Sequence, residues 1–126
     1  MQYLLDTNVL LWYIQGDKRL PQSIQSFISN PENDILISAA SIWEISIKYS
    51  LKQIELFPDL ESYMEKYILN GLYKIINIGS EHAMYVSKLP FHHRDPFDRL
   101  IFAQSVIERI ELLYTDHIFD KYKSDL

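Results

Sequence analysis

The chain has 126 residues, enough for one domain with a single sizeable core and short of two. With 48% hydrophobic and 13% aromatic residues it reads as a packed globular protein, and its longest uninterrupted apolar stretch, Val9 to Ile14, is too short to span a bilayer. A formal charge of −5 argues against a broad electropositive surface that holds nucleic acid by counterion release alone, and the absence of cysteine excludes disulfides and thiolate metal sites.

The first strand, Tyr3-Leu4-Leu5, starts at once with no basic n-region, so no secretory signal is expected. Cysteine-free composition fits a reducing, cytoplasmic location, and the short apolar stretches predict no membrane association. The strand runs into Asp6-Thr7-Asn8, and a helix is predicted over Val9 to Gln15 with Asn8 as N-cap, broken by Gly16 and Asp17. Pro21 is placed in the first turn of a second short helix through Ser29. Ile35-Leu36-Ile37 reads as a buried strand, and Ser38 caps a helix from about Ala39 to Leu51. The apolar residues of that helix, Ile42, Trp43, Ile45, Ile47 and Tyr49, spread too widely for one stripe and predict cover on more than one side.

Pro58 is expected to open a helix through Tyr67, Tyr73 to Ile78 has strand character, and Ser80 to Lys88 reads as a helix packing through Ala83, Tyr85 and Val86. Asp95-Pro96 begins a long helix to about Arg109, with Asp95 as N-cap and Pro96 at the first helical position. Glu111 to Tyr114 is a short strand, and Asp116 follows it closely. Strands separated by helices predict an α/β fold, with a largely parallel sheet carrying helices on both faces and no linker or internal repeat.

Four acids, Asp6, Glu44, Asp98 and Asp116, fall where a strand ends or a helix begins. Strand ends of an open α/β sheet converge on one crevice. Carboxylates gathered there repel one another, so a stable ionised cluster needs a cation, and hard oxygen ligands select Mg²⁺ or Mn²⁺. Each acid also has a plainer explanation. Asp6 suits a turn after a strand. Glu44 can pair with Lys48 four residues on, although its apolar neighbours leave little free surface for a carboxylate. Asp98 complements the helix macrodipole, and Asp116 can cap a final short helix. His92 and His93 read as loop residues near the phosphate path, not as ligands, and His82 and His117 as surface or cap residues. No catalytic triad, glycine-rich phosphate loop or zinc spacing is present.

Taken together, Leu4-Leu5-Asp6-Thr7-Asn8, Ile42-Trp43-Glu44, His93-Arg94-Asp95-Pro96-Phe97-Asp98-Arg99 and Asp116 through Tyr122 resemble a PIN domain of the VapC toxin type. The resemblance covers nearly the whole chain, and its most specific piece is the His93 to Arg99 run followed by Leu100, Ala103 and Gln104. It implies a single α/β/α sandwich domain around a mostly parallel sheet. It also implies a Mg²⁺- or Mn²⁺-dependent ribonuclease inhibited by a cognate antitoxin, with a structured RNA such as a tRNA as target and a homodimer as the usual assembly. Asp6, Glu44, Asp98 and Asp116 match the acidic positions of such toxins as catalytic and metal-binding residues. Two departures stand out. Tyr114 occupies a position that is often Thr or Ser, leaving Thr115 or Thr7 to supply a hydroxyl, and the chain stops where relatives often add an edge strand.

On this reading the ions activate water for in-line attack, and Arg94 and Arg99 are candidates to grip flanking phosphates. Leu11, Trp12, Tyr13, Ile42, Trp43 and Tyr49 are either core or part of a groove for an antitoxin helix. One alternative is a catalytically silent PIN-like module that binds RNA or protein, favoured by Tyr114. Another is a phosphoacceptor receiver domain, disfavoured because Ser38, not an acceptor Asp, follows the Ile35 strand.

Overall fold

The computed structural model describes residues 1–124. Four short strands, β1 (Gln2–Leu5), β2 (Asp34–Ser38), β3 (Lys74–Ile76) and β4 (Glu111–Leu113), form one parallel sheet in the order β3-β2-β1-β4. Helices α1 (Thr7–Gln15), α2 (Gln22–Ser29), α3 (Ala39–Ser50), α4 (Leu60–Tyr67), α5 (Ser80–Tyr85), α6 (Pro96–Glu108) and α7 (Ile118–Ser124) connect and cover the strands, and a 3₁₀ turn (Val86–Lys88) follows α5.

Side chains along a strand alternate between faces, so a parallel register sorts the core in two. Leu4 lies beside Leu36 and Leu112, and all three face a cluster with Ala40, Ile101, Phe102 and Phe119. Tyr3 and Leu5 lie beside Ile35, Ile37 and Leu113 and face the opposite cluster, which includes Val9, Leu10, Ile45 and Met64. Strands buried on both faces are the reason these runs are continuously apolar. α3 serves both faces, with Ala40 in one cluster and Ile45 in the other, as its wide apolar spread predicts.

Several local expectations change. Asp6, not Asn8, is the N-cap of α1: its Oδ1 accepts the Val9 N–H at 2.7 Å, because the helix begins two residues earlier than predicted. Pro21 sits at the N-cap of α2, outside its first turn. Pro58 lies ahead of α4, which Asp59 caps through the Ser62 N–H. The β3 strand is confined to Lys74–Ile76, and Ala83 is exposed. His82 is buried, not superficial; it does act as a cap, its Nδ1 accepting the Gly79 N–H at 2.9 Å while Nε2 lies 2.8 Å from Glu108. Of the aromatic and aliphatic residues weighed as a groove, Leu11 is buried and Trp12, Tyr13, Ile42 and Tyr49 pack against the core. Trp43 alone of these six stays largely exposed, at 54%.

Candidate active site

In an open parallel sheet the strand ends form a crevice where neighbouring connections leave in opposite directions. Here that point lies between β1 and β4, since the chain moves from β1 to β2 on one side and returns to place β4 on the other. Asp6 follows β1 directly, and Asp116 lies three residues beyond β4. The Asp6 N–H donates to Leu113 O at 3.1 Å and ties the two strand ends together.

The other two acids come from helices that start at the same edge. Ser38 caps α3 through the Ala40 N–H at 2.9 Å, and its hydroxyl donates to Gln104 Oε1 on α6. Gln104 in turn donates to Asn77 O at 3.2 Å, so buried polar bonds fix α6 against the ends of the sheet. Thr7 donates to Ser41 Oγ at 3.0 Å and joins the first turns of α1 and α3. These contacts set Glu44 and Asp98 in register with Asp6. Asp95 caps α6 as expected, accepting from Phe97 N at 2.8 Å and Asp98 N at 3.1 Å.

The electrostatics of the cluster are those of crowded carboxyls. Burial pushes the Asp6 carboxyl up to about 7, opposed by the Val9 N–H and reinforced by the charges of Asp98, Glu44 and Asp116. Burial also raises Asp98 to about 6, with Asp95 and Glu44 adding to the rise and the His93 hydrogen bond opposing it. Glu44 is buried at 6% exposure. Its Oε2 lies 3.1 Å from Lys48 Nζ, while its Oε1 is buried without a hydrogen-bond partner. The helix-surface pair expected from the spacing therefore forms, yet it satisfies only half of the carboxylate. Asp116 is the exposed corner, its Oδ1 accepting the Ile118 N–H at 3.0 Å.

His93 enters the cluster against expectation. Its Nε2 lies 2.7 Å from Asp98 Oδ2 and 3.9 Å from Asp116 Oδ2, bridging the two acids. Its place at the head of the His93 to Arg99 run, five residues ahead of Asp98, was the available signal, and it becomes meaningful once the loop brings the imidazole onto Asp98. Arg99 moves the other way. It is 5% exposed, and its guanidinium donates to Val86 O, Leu89 O and Pro90 O and to the Tyr122 hydroxyl, at 2.9 to 3.2 Å. It clamps the loop that carries His93 and is not positioned to grip a phosphate. Arg94 is exposed, two residues ahead of α6. Tyr114 donates its hydroxyl to Asp120, and Thr115 lines a cleft of about 560 Å³ with Trp12, Arg19 and Tyr114.

Among the described residues no group of three or more acidic or imidazole side chains is gathered closely enough to hold a metal ion as it stands. The donor chemistry nevertheless suits a hard divalent cation. The candidate ligands are carboxylate oxygens, the neighbouring charges of Asp98, Glu44 and Asp116 add to the burial that raises Asp6, and one buried oxygen, Glu44 Oε1, lacks a hydrogen-bond partner.

The sequence matches the PIN domain over residues 3–124. The chain belongs to the PIN domain family. Two solved structures share the PIN fold seen here. One is VapBC2 from Rickettsia felis bound to a DNA fragment from their promoter, 20% identical, with a TM-score of 0.68 over 97% of this chain and 93% of that one. The other is a toxin-antitoxin complex from Klebsiella pneumoniae, 21% identical, with a TM-score of 0.61 over 91% and 87% of the two chains. The sequence has no significant match among curated proteins. The PIN α/β/α architecture expected from the motifs is thus the one observed, with every strand of the described sheet parallel.

Proposed function

We propose that this PIN domain is a Mg²⁺- or Mn²⁺-dependent endoribonuclease, acting as the toxin of a VapBC-type toxin-antitoxin pair. The observation that carries the proposal is the gathering of Asp6, Glu44, Asp98 and Asp116 at the β1/β4 crevice, where burial, reinforced by neighbouring acids, raises the Asp6 and Asp98 carboxyls and Glu44 Oε1 has no hydrogen-bond partner. Asp6, Asp98 and Asp116 would hold the cation, with Glu44 as a further ligand or positioning group. When bound, the cation supplies an activated water and neutralises charge developing on the scissile phosphate.

The chain's own groups do the rest. The Val9 N–H orients Asp6, the α6 cap orients Asp98, and His93 holds Asp98 against Asp116. A carboxylate turned towards the attacking water serves as general base. Membership of the PIN family and the likeness to toxin-antitoxin assemblies support a cytoplasmic RNA-cutting toxin with a cognate antitoxin. Among the described residues no helix is long and apolar enough to cross a membrane. Exposed Leu51, Phe57, Leu69 and Leu72 provide apolar surface for an antitoxin or a second copy in a homodimer. A structured RNA such as a tRNA is the proposed target.

A second reading, a silent PIN-like binding module, is favoured by one observation: His93 already occupies Asp98 at 2.7 Å. Cleavage of labelled total RNA by the purified protein in Mn²⁺ or Mg²⁺, against EDTA, separates the two. Discrete products that require metal and vanish in Asp6→Asn and Asp98→Asn are expected. Intact RNA together with absent metal binding would replace the nuclease by the binding module.

A further inference from the structure

Trp43 is a large aromatic residue left 54% exposed, and its location is specific. It immediately precedes Glu44 on α3, while Phe97 immediately precedes Asp98 on α6, and the two rings meet edge-to-face with centroids 5.0 Å apart and planes at 84°. The ring contact therefore sits within one residue of two of the clustered acids, on the seam where α3 and α6 pack. An edge-to-face contact uses one edge or one face of a ring, so it braces the indole while leaving much of it open. Two cations lie near this seam in sequence, Lys48 four residues beyond Glu44 and Arg94 two residues ahead of α6. Lys48 Nζ is held 3.1 Å from Glu44 by a partly exposed side chain, and Arg94 is exposed on the approach to α6.

A braced, open aromatic ring beside cations and a phosphodiester-cutting cluster has the makings of a nucleobase platform. Unstacked bases bind aromatic faces irrespective of sequence, whereas a base inside a duplex has no free face to offer. We propose that Trp43, supported by Phe97, stacks an unpaired nucleobase next to the cleaved bond, with Lys48 and Arg94 meeting the adjoining phosphates. The platform rests on the ribonuclease reading for the identity of the polymer.

The chain has two tryptophans, so Trp12→Phe leaves Trp43 as the sole indole reporter. In that background, with Asp6→Asn added to stop turnover, a short single-stranded RNA of mixed sequence is titrated in Mg²⁺ and the indole emission followed, with the matching duplex as comparison. Quenching by the single strand and little response to the duplex are expected. In the active protein, Trp43→Ala is expected to raise KM about tenfold with a smaller change in kcat, and Trp43→Phe to recover most of the loss.

Emission indifferent to RNA, or equal quenching by the duplex, would overturn the platform. So would emission that responds only to protein concentration, which would assign the indole to a contact between protein chains. Cleavage that persists unchanged in Trp43→Ala would sink the platform and leave the nuclease standing. Quenching without any cleavage in Mg²⁺ or Mn²⁺ would do the reverse.

Discussion

Asp6 carries two duties on one carboxyl group: it starts α1 by accepting the Val9 N–H, and it faces three other acids from a buried position. Its pKa, raised to about 7, lies above that of the unfolded chain, so between about pH 4 and pH 7 the native state holds a proton that the unfolded state has lost. Stability must then fall as pH rises through that window, with the full penalty present above it. Asp6→Asn keeps an oxygen for the Val9 N–H and removes the ionisation. In EDTA at pH 8 the variant is expected to melt several degrees above the parent, and at pH 4 close to it. Calorimetry at both values checks this, and a variant that melts below the parent at pH 8 would mean that the carboxylate is not strained. Mn²⁺ at pH 8 is expected to raise the Tm of the parent and to leave Asp6→Asn nearly unmoved.

At the scale of elements, the segment from Val86 to His93 shows how irregular chain is held next to a site. It has no strand or α-helix of its own, and the buried Arg99 fork donates to four of its carbonyls, those of Val86, Leu89, Pro90 and His93. The Tyr122 hydroxyl adds a second hold, accepting from His93 N at 2.9 Å and donating to His93 O at 3.3 Å. α6 and α7 thereby place His93 jointly. Arg99→Ala removes several charge-assisted hydrogen bonds and leaves carbonyls unpaired, which is expected to cost about 3 kcal/mol or more in urea unfolding. Arg99→Lys keeps the charge without the planar fork and should recover only part of that loss. A variant as stable as the parent would show that the loop is held by other contacts.

At the scale of the whole molecule, stability comes from a sheet buried on both faces, with Leu4 and Leu5 of β1 pointing to opposite clusters at 0% exposure each. Neither face is expendable. Leu4→Ala and Leu5→Ala are each expected to cost about 3 kcal/mol, measured as a fall in the urea midpoint, because each leaves a cavity in a different half of the core. A large effect in one and none in the other would mean that one helical layer can collapse onto the gap. The central place of β1 also explains the site. A strand with neighbours on both sides delivers its next residue, Asp6, into the middle of the crevice, where acids from α3, α6 and the loop after β4 surround it.

The sequence by itself determined the alternation of strands and helices, because apolar runs bounded by Asp, Ser and Pro carry local signals for strand ends and helix caps. Ser38, Asp95 and Pro96 cap or open their helices as read, and the motifs around Asp6, Glu44, Asp98 and Asp116 were enough to indicate the PIN fold. Local signals also erred locally. The α1 cap fell two residues early because Asp6 and Asn8 are both good caps, and only the hydrogen bond to Val9 separates them. What tertiary structure alone decided is which polar groups meet across long sequence distances. The spacing of Glu44 and Lys48 could not show that one carboxylate oxygen is buried unpaired, nor could Arg99 be told from a phosphate-gripping arginine. His93 looked like a loop residue until the clamp on its backbone turned it onto Asp98. Backbone propensity and capping act over a few residues and can be read from the chain, whereas burial and electrostatic coupling depend on partners that folding brings together.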